Sequence, residues 1–324
     1  MRILVLGGTR FVGLHIVREA LARGHEVDTF HRGRTPTPGG ARSLLGDRNG
    51  DLAALEGGHW DAVIDVSGYL PRQIRRAAEA LQGRAERYLF ISSCSVYADR
   101  EAPGKDVGSA LATLDDPSTE TIDGDTYGGL KVLCEQAAEQ AFPARSLSLR
   151  PTYVVGPNDI TDRFTYWLRR VRQGGRMAAP VDPRLPIAFI DVRDLARFTV
   201  DQAEGTAVGA VNVSGPAEPA GWGSVLSEIT SLTHSDARPE WIPLEMLDAL
   251  ALPRSAFPMV TPFSFRHGEP YATGRAVELG LRFTPLADTV RDTLAWHDAH
   301  GQARAGLEAA DEQRLLDAWA ARSS

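Results

Sequence analysis

The chain of 324 residues has only two cysteines, Cys94 and Cys134, and they lie far apart with no CxxC or Cys/His spacing near them. That scarcity excludes a disulfide framework and a zinc site, and the two read as free thiols of a reducing compartment. Long hydrophobic runs are also missing. MRILVLGG has one positive charge and a short apolar run before a glycine pair, far short of a signal peptide or of the roughly 20 apolar residues that span a bilayer. We therefore expect a cytoplasmic protein. Positive charge is not in excess either: 35 basic against 42 acidic residues leave a net charge of −7, and no basic run is interleaved with aromatics. Nucleic acid and anionic membrane are thereby disfavoured as partners, and a small-molecule substrate is favoured. With no low-complexity tract, no internal repeat and 43% hydrophobic residues, the chain is globular and long enough for about two domains.

Short apolar runs are present at 3–6, 26–30, 61–66, 87–92 and 145–150, and stretches of helical period alternate with them. Strand and helix in alternation, with strands apolar on both faces, predict an α/β fold: a doubly wound parallel sheet of Rossmann type. After Arg150-Pro151 the alternation stops, then returns as strand, helix and strand over about 186–215. The expected division is a dinucleotide-binding domain, 1–155 plus about 186–215, and a smaller C-terminal substrate-binding domain, 156–185 with 216–324.

ILVLGGTRFVG puts Gly7, Gly8 and Gly13 between the first strand and the first helix. There glycine admits positive φ and close approach of a pyrophosphate to the helix N-terminus. This loop resembles that of the extended short-chain dehydrogenase/reductase superfamily, in an atypical, epimerase/dehydratase-like branch with a GGTRFVG-type loop, although Arg10 replaces the middle glycine. The resemblance implies a nicotinamide cofactor held by Gly7, Gly8, Thr9, Arg10, Phe11, Val12 and Gly13. Members that prefer NAD carry an acidic residue at the end of the second strand. Here His31, Arg32 and Arg34 stand there and Asp28 falls too early, so NADP(H) is preferred over NAD(H), with Arg10 and Arg32 gripping a 2′-phosphate. Asp47 is either the adenine contact or the anchor of an Asx-type turn. Arg48, Val66, Ser67 and Gly68 complete that side of the groove.

Tyr127 and Lys131 are spaced i, i+4, one turn apart on a helix face. Upstream, ISSCSVY is similar to the family's SSxxVYG turn. Its offset from Tyr97 makes Ser93 the catalytic hydroxyl, with Ser92 beside it. The resemblance implies the trio Ser93, Tyr127 and Lys131, in which the Lys131 ammonium lowers the phenol so that it exchanges a proton with the substrate oxygen. Arg150, Pro151, Tyr153 and Val154 are candidates for the nicotinamide wall. A dehydratase would carry Asp-Glu where Cys94-Ser95 stand, so a reductase or epimerase is expected, acting on a substrate such as a sugar nucleotide or secondary metabolite. Of the arginines such members use for a diphosphate, Arg184 lies slightly off position and Arg266 matches. Phe164, Tyr166 and Trp167 read as core more readily than as a substrate pocket. No metal is expected, and the helices beside such a sheet could form a homodimer. The competing expectation is a non-catalytic dinucleotide-binding sensor, or a nucleic-acid or partner-binding module, on the same fold.

Overall fold

The computed structural model describes residues 1–99, 101–260, 271–301 and 305–322. The first half runs β1 (Arg2–Leu6), α1 (Phe11–Ala22), β2 (Glu26–His31), β3 (Arg42–Leu45), β4 (Trp60–Asp65), α2 (Pro71–Ala80), β5 (Ala85–Ile91), α3 (Tyr127–Ala141) and β6 (Ser146–Pro151). It continues through β7 (Tyr153–Val155), α4 (Arg163–Gln173), β8 (Arg176–Pro180), β9 (Pro186–Asp191), α5 (Val192–Glu204), β10 (Gly209–Val213) and β11 (Gly215–Gly221). The remainder is α6 (Trp222–Leu232), β12 (Arg238–Ile242), α7 (Leu244–Ala249), α8 (Gly274–Glu278), α9 (Leu286–His300) and α10 (Ala309–Ala320).

Seven parallel strands form the main sheet in the order β10-β6-β5-β4-β1-β2-β3. Alternation along β1 builds both of its cores. Ile3 and Val5 pack with Ile16 and Val17 of α1 and Leu195 and Phe198 of α5, whereas Leu4 and Leu6 pack with Ile74 of α2 and Cys134 and Ala137 of α3. A strand buried on both faces must be apolar at every position, hence ILVL. The chain winds outward from β1 to β3, then restarts at β4 on the other side, so the strand order reverses between β1 and β4. At such a switch point the loops diverge and leave a crevice beyond the carboxyl ends of the strands.

One expectation is corrected. The apolar run at 186–191 does not return to the main sheet: β9 pairs with β7 and β11 in a separate three-stranded sheet, and only β10 rejoins the main one. A third core gathers around Trp167, which packs at 4.7 Å against Trp222, while Phe164 stacks at 5.4 Å on Phe189. Phe164, Tyr166 and Trp167 are thus core, as their spacing suggested. Among the described residues, no helix is long and apolar enough to cross a membrane.

Candidate functional site

A groove of about 530 Å³ occupies the crevice. Its floor is built by glycine. Gly7 has φ +96° and donates its N–H to Phe30 O at 3.0 Å, and a Cβ there would lie 2.9 Å from Ser67 Cβ. A Cβ on Gly13 would lie 2.3 Å from Gly7 O, so α1 can start against the loop only without one. Gly8 packs inward, where a Cβ would lie 2.8 Å from Thr29 and Val17, and it is not part of the lining. Arg10 does not strain the backbone: its φ of −140° is open to any residue, and the strained φ of +35° falls on Phe11.

Gly7, Thr9, Arg10, Phe11, Val12, Gly13, His31, Arg32, Arg34, Asp47, Arg48, Val66 and Ser67 all line the groove. The guanidinium groups of Arg10, Arg32 and Arg34 take no hydrogen bond or ion pair among the described residues. His31 is not a fourth cation. Its Nδ1 accepts the Gly33 N–H at 3.1 Å, its Nε2 meets Thr37 and Ser43 at 2.9 and 3.0 Å, and burial lowers its pKa, so it braces the loop as a neutral ring. Asp28 is spent elsewhere, on Arg42, Arg2 and the Trp60 indole. Asp47 makes the Asx-type turn, accepting the Asn49 N–H at 2.9 Å, while remaining in the lining. Arg48 is not a free cation for phosphate either, because it is clasped by Asp65 at 2.7 Å.

The remaining candidates sit outside the groove lining. Ser93 caps the turn 94–96, accepts the Ser95 N–H at 3.1 Å and donates to the Ser95 hydroxyl at 3.1 Å, with the Tyr127 side chain close by. Tyr127 opens α3, placing Lys131 one turn on. The buried Lys131 ammonium donates to Gly68 O at 3.0 Å and Ile91 O at 2.8 Å and lies 4.1 Å from the Phe90 ring. Burial pulls its pKa down to about 8. The expected lowering of the Tyr127 phenol is not found. Burial, with Tyr69 beside it, pushes it up to about 12 against the lowering effect of Ser93 and the Arg163 charge, so the Tyr127 phenol is protonated at neutral pH. Ser92 is buried with its hydroxyl unpartnered among the described residues. Gly68 serves through its carbonyl. Pro151 ends β6 in the core, and Tyr153 and Val154 are half-buried on β7, with the Arg163 guanidinium 4.6 Å above the Tyr153 ring.

Arg150 is corrected from a wall residue to an anchor: it forms a two-pronged buried pair with Glu135 at 2.7 and 3.0 Å and donates to the Tyr97 hydroxyl. Arg184 pairs with Asp182 at the surface, and Arg266 lies outside the described residues. Asn49, Tyr69, Gln73 and Ile160 line the groove without having been anticipated. Tyr69 alone had a signal, following directly on the β4 turn. No group of three or more metal-ligating side chains occurs among the described residues.

A family profile described as "NAD dependent epimerase/dehydratase family" matches residues 3–213. The chain belongs to that family. It is 25% identical over 200 residues to the chloroplast stem-loop binding protein of 41 kDa b of Arabidopsis thaliana, covering 55% of this chain and 49% of that one. It is 31% identical over 189 residues to a 3-beta-hydroxysteroid dehydrogenase of Mycolicibacterium neoaurum, covering 49% of each. The chain thus spans about half the length of these curated relatives. Among solved structures, the Bordetella bronchiseptica enzyme WbmH in complex with NAD+ superposes with a TM-score of 0.71 at 16% identity, over 93% of this chain and 99% of that one. The UDP-glucuronic acid 4-epimerase from Bacillus cereus in complex with NAD does so at 0.69 and 18% identity, over 91% and 96%. These likenesses establish the fold.

Proposed function

We propose that the chain is an NAD(P)(H)-dependent reductase or epimerase that moves hydride between the nicotinamide and a carbonyl or secondary alcohol, with NADP(H) preferred. The observation that carries this is the buried Lys131 one helical turn from Tyr127 on α3, with Ser93 close to the Tyr127 side chain, beside a groove whose glycine floor fits a dinucleotide. The Gly7–Gly13 loop and the N-terminus of α1 would hold the pyrophosphate. Arg10, Arg32 and Arg34, with guanidiniums available at the β2 rim, would hold a 2′-phosphate.

The chemistry a bound nicotinamide supplies is the hydride alone. The matching proton must be handled by the chain. With its pKa near 12, Tyr127 is protonated at pH 7 and can donate from its hydroxyl to the substrate oxygen, while Ser93 orients that oxygen. Lys131, with a pKa near 8, is mostly charged at pH 7 and would supply a fixed cation one helical turn from Tyr127. A dehydrogenase relative and nucleotide-sugar epimerase neighbours support this class of reaction and a polar or polycyclic small substrate. The test is single-turnover transfer followed by nicotinamide absorbance, with a screen of sugar nucleotides and cyclic ketones. No transfer with any substrate, despite tight cofactor binding, would favour the sensor reading.

A further inference from the structure

The side chain of Arg48 leaves the loop after β3 and reaches the carboxyl end of β4. Its Nη1 donates to Asp65 Oδ1 at 2.7 Å and to Ser67 Oγ at 2.8 Å, and its Nη2 donates to Asp65 Oδ2 at 2.7 Å. Asp65 is wholly buried and also accepts the Tyr88 hydroxyl at 2.7 Å and the Ser67 N–H at 2.9 Å. Every direction around the carboxylate is used, so the turn 65–68 has one shape. Gly68 ends that turn so tightly that a Cβ would lie 3.3 Å from Asp65 Oδ2, and its carbonyl accepts from Lys131 at 3.0 Å. Burying such an ion pair adds little net stability compared with apolar residues. Its value must therefore lie in the geometry and the field it fixes.

We propose that the Arg48–Asp65 pair is a positioning device for Lys131: it sets the carbonyl that holds the ammonium and places a compensated pair of charges beneath it. The kinetic consequence rests on the hydride-transfer reading; the structural part does not. The groups facing Lys131 are Asp65 and Arg48 from the β4 side, Tyr69 from the turn, and Cys134 and Glu135 from its own helix. Burial keeps the Cys134 thiol neutral, with its pKa near 12, and Glu135 is matched by Arg150. Arg48 and Asp65 are thus the charges whose removal Lys131 would register.

Lysine occurs only at 105 and 131, so the ligand-free protein labelled with ε-15N-lysine gives two side-chain NMR signals, which Lys105→Arg assigns. Arg48→Met removes a repelling cation and should move the Lys131 titration upward, toward the ordinary value of about 10.4. Asp65→Asn removes the attracting anion and should move it downward. The double variant should return it near the wild-type position. A merely loosened, wetter turn would raise Lys131 in both single variants, and that result, or no movement in whichever single variant folds, would overturn the proposal. Both single variants should also slow single-turnover transfer about tenfold. Absence of transfer in the wild type would count against the enzymatic reading and leave the titration test intact.

Discussion

At the scale of the residue, a phenol that burial holds protonated is an acid, and removing only its hydroxyl isolates that role. Tyr127→Phe should lower single-turnover hydride transfer by about 10²–10⁴-fold and leave NADPH affinity nearly unchanged; an unaltered rate would assign the proton to another group. Arg32→Glu should weaken NADPH binding more than NADH binding in calorimetric titration, since it removes a phosphate partner and adds repulsion; equal losses would contradict NADP(H) preference. Much of this site was legible in the sequence, because glycine spacing and the i, i+4 pair are chemical constraints carried by the residues themselves. What was not legible was occupancy. Nothing in EVDTFHRGR says that His31 spends both ring nitrogens on its own loop, or that Arg48 and Arg150 face carboxylates brought from 17 and 15 residues away. Those partnerships, and the burial that raises Tyr127, exist only once the chain has folded.

Among the elements, α3 carries both Tyr127 and Lys131, and besides the apolar packing of Cys134 and Ala137 it is tied to the sheet by the Arg150–Glu135 pair to β6. Both side chains are buried, so Glu135→Leu would strand a guanidinium in the interior. It should cost about 3–5 kcal/mol in urea unfolding, with transfer lost in proportion to the unfolded fraction; a change below 1 kcal/mol would mean the pair is dispensable. Elements such as β1, β4 and α3 could be read from periodicity because each is long and apolar on the faces it buries. The run at 186–191 has the same texture as the strands of the main sheet, and only its neighbours decide that it pairs with β7 and β11. Strand partnership is a tertiary choice that local pattern does not contain.

For the whole molecule, the buried Lys131 ties stability to pH. Its folded pKa near 8 lies below the ordinary value of about 10.4, so between these limits the unfolded chain keeps a proton that the folded chain has lost. Stability from this group therefore rises with pH across that window, and below about pH 8 its contribution is constant and unfavourable. Urea unfolding of wild type and Lys131→Met at pH 7.5 and 9.5 should show the difference moving in favour of the wild type at the higher pH; a constant difference would refute the linkage. Lys105 is buried as well. Apart from histidine and the amino terminus, the outward-facing cations are therefore all arginine, which stays charged to about pH 12 and beyond. In the native protein, a reagent that attacks unprotonated amines finds both lysine side chains buried. Acylation at 105 and 131 would then act as a clock for unfolding, recording each opening of the chain as a permanent mark.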